Sequence, residues 1–438
     1  MLTSLFILIV LIVMLPAILM APHTAMYVWC WVSYMNPHRN SWSFIKEAPL
    51  LDAVAAFTMV AWLTSKDRKV PEPHPVLFVM LGLFLWTCLT TIFAVNPDYA
   101  AKQLTRFSKI ILFTIFAMVF ITTKDRIRYF IYVILLGLAF YSVKGGIFTI
   151  LNGGKYIVLG PSKTFLADNN QLALACLTVT PLFYWVGRHG ETKLIRLAAM
   201  GSGIFTLISV LGSQSRGAII ALTGMITWMC ILGRKVGLGI LLGVSLLGGA
   251  LLFMPEEWLG RMESITEYEE DASATSRMRM WKYATNVADA RPLIGAGFDF
   301  YYNQQYARKY MPGGGKIYVA HSNYFDSLGQ HGYVGLFLYL FLFSCAFIST
   351  TEVRRLTKGN EELAWAFDLA HMLQFSLIGF GVGGAFLSLS TFDLYFHIVA
   401  LTMVLHCLVL KDVQPEKTAF SLKDLAGRTA NKGALPAE

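Results

Sequence analysis

The sequence predicts an all-α, polytopic helical membrane protein of about twelve transmembrane helices, with one long outer loop of short helices. Three observations carry that prediction. Of the 438 residues, 55% are hydrophobic and only 14% charged, where a soluble domain carries about 25% charged residues. Apolar runs of about 20 residues recur, the length that crosses a hydrocarbon core of roughly 30 Å. Clusters of Lys and Arg return at every second connection, as cytoplasmic loops should under the positive-inside rule. The same figures exclude a disordered chain, a coiled coil, a disulfide scaffold and a nucleic-acid module. The formal charge of +9 then reads as basic cytoplasmic loops.

The first run, Leu2–Met20, lacks a basic leader and is expected to be a retained span. Residues 22–44 are aromatic but interrupted, so they are expected to be interfacial or re-entrant on the outer face, where Trp and Tyr belong. Further spans are expected near 46–63, 76–95, 108–122, 127–150, 169–187, 195–212, 217–233 and 236–254, and after a polar stretch near 332–350, 363–387 and 391–410. The basic connections are Lys66/Arg68/Lys69, Lys124/Arg126/Arg128, Arg188/Lys193/Arg196, Arg234/Lys235 and Arg354/Arg355/Lys358. With the tail residues Lys411, Lys417, Lys423, Arg428 and Lys432 on the same side, twelve spans with both termini inside satisfy every loop. Five regions follow: 1–168 and 169–254 in the membrane, 255–331 as the outer loop, 332–410 in the membrane and 411–438 as a loose tail. Cys30, Cys88, Cys176, Cys230, Cys345 and Cys407 have no C-x-x-C or metal spacing and read as small hydrophobes.

Basic residues on the outer face need a reason. Arg216 stands at a hairpin tip, Gly212-Ser-Gln-Ser-Arg-Gly217, where Ser213 or Ser215 can cap the descending helix. An arginine in a first helical turn opposes the macrodipole unless an anion binds there. Binding a lipid headgroup is the plainer reading. In Ser276-Arg-Met-Arg-Met-Trp281, Arg277 and Trp281 are four apart and share a face, while Arg279 points elsewhere. At least one arginine is expected at the site, against a solvated basic face. In Ala320-His-Ser-Asn-Tyr-Phe-Asp, His321 precedes a helix with Ser322 and Asn323 as cap candidates. A helix N-terminus disfavours imidazolium, so His321 is expected to be neutral and able to accept a proton, with His331 a weaker competitor. Lys102 and Arg106 could meet donor phosphates, though anchoring to phospholipid is the plainer role. Asp393 and His397, at i and i+4, read as a structural pair. The run Glu267, Glu269, Glu270, Asp271 reads as a solvated acidic face, and no D-x-D or paired His/Asp metal site stands outside.

Two arginines and a neutral histidine beside a bilayer suit attack of a hydroxyl on a diphosphate-linked group. The stretches SQSRGA (213–218), SRMRMWKYATNVADARPLIGAGFDFY (276–301) and AHSNYFDSLGQHGYVGL (320–336) resemble the signature blocks of the O-antigen ligase/polymerase superfamily, Wzy_C type, which includes the O-antigen ligases. The amino-terminal third resembles the extra domain of O-glycosylation ligases associated with exosortase systems. The resemblance implies a GT-C-like glycosyltransferase of twelve spans, working without metal or cofactor. It implies an undecaprenyl-diphosphate-linked O-antigen donor, a lipid A-core acceptor, and a multi-pass protein of the bacterial inner membrane, among membrane lipids, with its site facing the periplasm. It places Arg216, Arg277 and His321 in the catalytic roles, while Arg279 has no clear counterpart in it. Ser215, Arg279, Asn323, Lys102 and Arg106 are read beside them as substrate-binding neighbours. The family commonly carries Asn directly after the histidine, whereas here Ser322 intervenes before Asn323. A polymerase, or a ligase acting on protein, would share the donor. A lipid-linked oligosaccharide transporter should carry ionisable groups in mid-span, and here the charges cluster at one face.

Overall fold

The computed structural model of the chain describes residues 2–39, 48–64, 70–162, 164–232, 248–249, 254–256, 258, 260 and 272–413, and all their regular elements are helical. They are α1 (Leu2–Met20), α2 (His23–Met35), α3 (Leu50–Thr64), α4 (Pro75–Ile92), α5 (Pro97–Phe120), α6 (Lys124–Leu151), α7 (Asn169–His189), α8 (Lys193–Gly212) and α9 (Arg216–Leu232). After these come α10 (Ala272–Ala290), α11 (Gln304–Tyr310), α12 (Asn323–Thr357), α13 (Ala364–Gly383) and α14 (Asp393–Val413). Seven helices among the described residues are long and apolar enough to cross a membrane: α4, α5, α6, α8, α12, α13 and α14. Shorter apolar helices lie in α1, α3 and α9. The expected span near 236–254 and the acidic run 263–271 fall almost wholly outside the described residues.

Local chemistry sets the helix starts. Asp168, Thr123 and Thr192 each cap a helix by accepting a backbone N–H two or three residues on, at 2.9, 3.3 and 3.2 Å. Pro75 occupies the first turn of α4, where its missing N–H costs nothing. Small residues let α6 and α8 approach closely: Ser142 meets Thr206 at 2.7 Å, and a Cβ on Gly146 would collide with the backbone of Phe205.

The basic connections do gather on one face. Arg128 pairs with Glu191 at 2.8 Å, and His189 with Asp368 at 2.8 Å. Lys124 lies over the Trp365 ring, Glu352 meets His406 at 3.4 Å, and Lys411 pairs with Glu72. These contacts tie the starts of α4, α6, α8 and α13 to the ends of α7, α12 and α14. Lys66, Arg68, Lys69, Arg234, Lys235 and the tail beyond Val413 lie outside the described residues.

Residues 22–39 depart from the expectation. α2 is not interfacial: Met26, Trp29, Cys30, Val32 and Tyr34 are buried in the main core, and Trp29 stacks on Phe113 at 3.4 Å between centroids. It runs parallel to α6. The Tyr27 hydroxyl donates to Arg126 O at the basic face, while the Tyr141 hydroxyl, four turns further along α6, donates to Met35 O. α1 thus ends with Met20 near the basic face, three residues before His23, which has Arg126 within electrostatic reach. The physical reason for the burial of α2 is side-chain satisfaction. Ser33 donates to Asp393, and the Tyr34 hydroxyl meets His397 Nδ1 at 2.5 Å, so polar groups that looked interfacial are paired inside the bundle. Asp393 and His397 therefore hold α2, where their i and i+4 spacing suggested a pair with each other.

α12 starts nine residues before the expected boundary at 332 because it is two helical pieces. Gly332 (φ +70°, ψ −173°) breaks it, and the carbonyls of Gly329 and Gln330 lose their helical donors. The Pro292–Gly297 turn supplies replacements: Ala296 N donates to Gly329 O at 2.9 Å, and Gly297 N to Gln330 O at 2.8 Å. Tyr333 N, released by the break, donates to Pro292 O at 2.8 Å. A Cβ on Gly295 (φ +61°) would sit 2.6 Å from Gly332 N, so only glycine permits this approach.

Candidate active site

The three singled-out blocks meet at the face opposite the basic one. Ser215 caps α9: its Oγ accepts from Ala218 N at 3.2 Å and donates to Asn170 Oδ1 at 2.7 Å. Asn169 Nδ2 donates to Ser213 O at 2.8 Å, so the hairpin tip is fastened to the turn that begins α7. The Ser215 hydroxyl gives its one proton to Asn170 and one lone pair to the cap, and so fastens Arg216 in the first turn of α9. Gln214 takes φ +54° to make the tip.

α10 lays Met280, Tyr283, Ala284 and Val287 into a buried cluster, the 3–4 spacing of one helical face. Trp281 Nε1 donates to Ala320 O at 2.8 Å, and its ring stacks on Phe325 with centroids 5.0 Å apart. One turn before it, half-buried Arg277 lies within electrostatic reach of His321. Asp168, which caps α7 beside the hairpin tip, is within reach too. Arg216's hairpin, Arg277 and His321 are thus brought together around the Asp168–Asn170 turn. His321 is half-buried and holds φ +48°, a conformation that costs a non-glycine residue about 1–3 kcal/mol and clusters at functional sites. Burial first, then the Arg277 guanidinium, lowers its pKa below the ordinary 6.5, with Asp168 opposing. The imidazole is therefore neutral at pH 7. The causes are desolvation and a neighbouring cation.

The neighbours divide. Arg279 donates to Lys316 O at 3.1 Å and braces the Gly313–Gly315 turn, away from His321. Asn323 Oδ1 accepts from Leu389 N at 2.5 Å and fixes the α13–α14 connection, while the buried Ser322 Oγ has no hydrogen-bond partner among the described residues. Lys102 is exposed beside Tyr99. Arg106 is exposed, with its guanidinium 3.7 Å from the Phe165 ring centroid; it also lines a polar cavity and has Asp299 and Asp393 within electrostatic reach. His331 is buried, with Nδ1 2.7 Å from Thr90 Oγ1 and Phe298 edge-on at 4.5 Å, so it is a packing group.

Two spaces flank the cluster. One is an apolar groove in two adjoining hollows of about 480 and 460 Å³, along α9, α12 and α13, which share Ile220, Ile378 and Val382. The other, of about 590 Å³, is polar and includes Gln103, Arg106, Asp299, Asp326 and Gln330. Sequence reading missed Asp299 and Asp326. Asp326 accepts from the Tyr301 hydroxyl at 2.8 Å, and its only local signal was an acid in the first turn of α12.

Residues 201–340 match the family described as O-Antigen ligase, Wzy_C. The chain carries a Wzy_C domain. It contains Arg216, Arg277 and His321 together with the Gly329–Gly332 break. Residues 2–191 match a family of unknown function, DUF5935. The chain is also 20% identical over 322 residues to the exopolysaccharide production protein ExoQ of Rhizobium meliloti strain 1021, covering 67% of this chain and 69% of that protein. The seven candidate spans describe a multi-pass membrane protein, and within it residues 201–340 are similar to the O-antigen ligase family.

Proposed function

We propose that the chain transfers a glycan from an undecaprenyl diphosphate carrier to an acceptor hydroxyl, at the periplasmic face of the bacterial inner membrane. The observation that carries this is one stripe of α9. Below Arg216, the residues Ile219, Ile220, Thr223, Gly224, Thr227, Trp228 and Ile231 all line the apolar groove, at helical spacing. A polyprenyl chain laid along that stripe brings its diphosphate to the first turn of α9, where the helix dipole and a guanidinium both favour an anion.

The acceptor oxygen bonds to the anomeric carbon while the carbon–oxygen bond to the diphosphate breaks, inverting that centre. His321 takes the acceptor proton, and Arg216 and Arg277 neutralise the departing diphosphate. With lipid A-core as acceptor this is an O-antigen ligase, the reading the Wzy_C domain supports. The likeness to an exopolysaccharide production protein favours a second acceptor, the end of another carrier-linked chain, which would make it a polymerase.

Reconstitution separates these. Purified protein is given an undecaprenyl-diphosphate O-antigen, with and without lipid A-core, beside a His321→Ala control. A ladder on lipid A-core that disappears in the control supports the ligase. Longer chains with donor alone identify a polymerase. Wild-type rates from His321→Ala would overturn the assigned proton transfer.

A further inference from the structure

The polar cavity is walled by both matched regions. Ser33, Asn36, Gln103 and Gln171 come from residues 2–191, whereas Asp299 and Asp326 come from the Wzy_C domain. It adjoins the candidate active site at two places. Val319 lines it two residues before His321, and Thr164, Phe165 and Gln171 line it on either side of the Asp168 turn. None of its lining residues belongs to the apolar groove, so the molecule offers two separate spaces beside one histidine.

Its chemistry is specific. Amides, hydroxyls and carboxylates alternate with the rings of Phe165, Phe298 and Phe392. Gln103 Nε2 donates to Asp299 Oδ2 at 2.9 Å, and the Arg106 guanidinium lies over the Phe165 ring with two carboxylates in reach. His38 and Arg39 also line the wall, and the charge of Arg106 is opposed by Asp299 and Asp393, so acids stand beside bases here. Donors and acceptors beside aromatic rings suit a neutral polyhydroxylated ring, whose C–H faces pack on the rings. The volume lies within the range of about 300–1,000 Å³ usual for small-molecule sites. Two of its lining residues, Asn36 (φ +46°) and Asp299 (φ +54°), hold left-handed backbone, a strain retained where a site demands it.

We infer that this cavity binds a neutral sugar unit of the acceptor, with Gln103 and Asp299 as its hydroxyl-binding pair. The region of unknown function is then the acceptor-recognising part of the molecule. The inference rests on the glycosyl-transfer reading for the word acceptor, but the site itself does not.

Saturation-transfer NMR on the full chain in detergent tests it without turnover, using methyl β-D-glucopyranoside, methyl β-D-galactopyranoside and N-acetylglucosamine as probes. The expected result is binding of at least one probe. That binding should be roughly tenfold weaker in Gln103→Ala, the loss of one hydrogen-bonding partner. It should be abolished in Ser390→Trp, which fills the cavity, and kept in Arg216→Ala and in excess inorganic pyrophosphate. No transfer to any probe, equal transfer in both cavity variants, or displacement by pyrophosphate would each overturn the site. Probe binding that persists while reconstitution yields no glycan product would strike the reaction and leave the site standing.

Discussion

The Ser215 hydroxyl donates to Asn170 Oδ1 at 2.7 Å, joining the arginine hairpin to the turn that carries Asp168. Because the same oxygen caps α9, Ser215→Ala removes two contacts at once. The expected cost is about 1 kcal/mol of stability from the cap, seen as a lower midpoint in thermal unfolding in detergent. The larger effect is expected on donor KM, since Arg216 loses its fixed position. An unchanged donor KM would detach the hairpin from donor binding.

The acid limb of the kcat/KM profile should report His321. Its pKa lies below 6.5 through burial and Arg277, so the unprotonated base persists, and activity holds, below pH 6.5. Arg277→Gln removes a charge that disfavours imidazolium, so the limb moves up. Asp168→Asn removes one that favours it, and the limb moves down. Shifts in the same direction from both variants would contradict the assignment.

Gly295→Ala is expected to destabilise by about 1–3 kcal/mol, because its φ is +61° and the added Cβ meets Gly332 N at 2.6 Å. The change also pulls the Ala296 and Gly297 donors off the break in α12. Thermal unfolding measures the loss, and an unshifted midpoint would show that the break needs no such support.

Since two guanidiniums supply the positive charge in this mechanism, transfer should continue in excess EDTA. Loss of product under EDTA, with recovery on adding Mg²⁺, would replace the arginine account with a metal-assisted one.

Much of this was legible because it is written locally. Loop charge sorted the connections onto one face, since each cluster acts over its own neighbouring span. The serine cap, Arg216 and the Arg277–Trp281 spacing likewise depend on residues within a turn or two. What escaped depends on distant partners. The polar side of α2 looked interfacial because Asp393 and His397 follow it by 360 residues or more. The start of α12 at Asn323 was hidden because its break is satisfied by Pro292–Gly297. The cavity that Arg106 lines was hidden because its walls come from well-separated stretches of chain, which no local pattern reveals.

The pairing of α2 with α14 also sets an order of assembly. Ser33 and Tyr34 emerge early in synthesis, yet Asp393 and His397 are among the last residues of the described bundle to enter the membrane. Until then a 13-residue helix with an unsatisfied hydroxyl face is too short and too polar to be held by lipid alone. Closure of the bundle is therefore a late, post-insertion event. A nascent chain arrested before α14 would leave the Ser33 and Tyr34 hydroxyls of α2 without these partners.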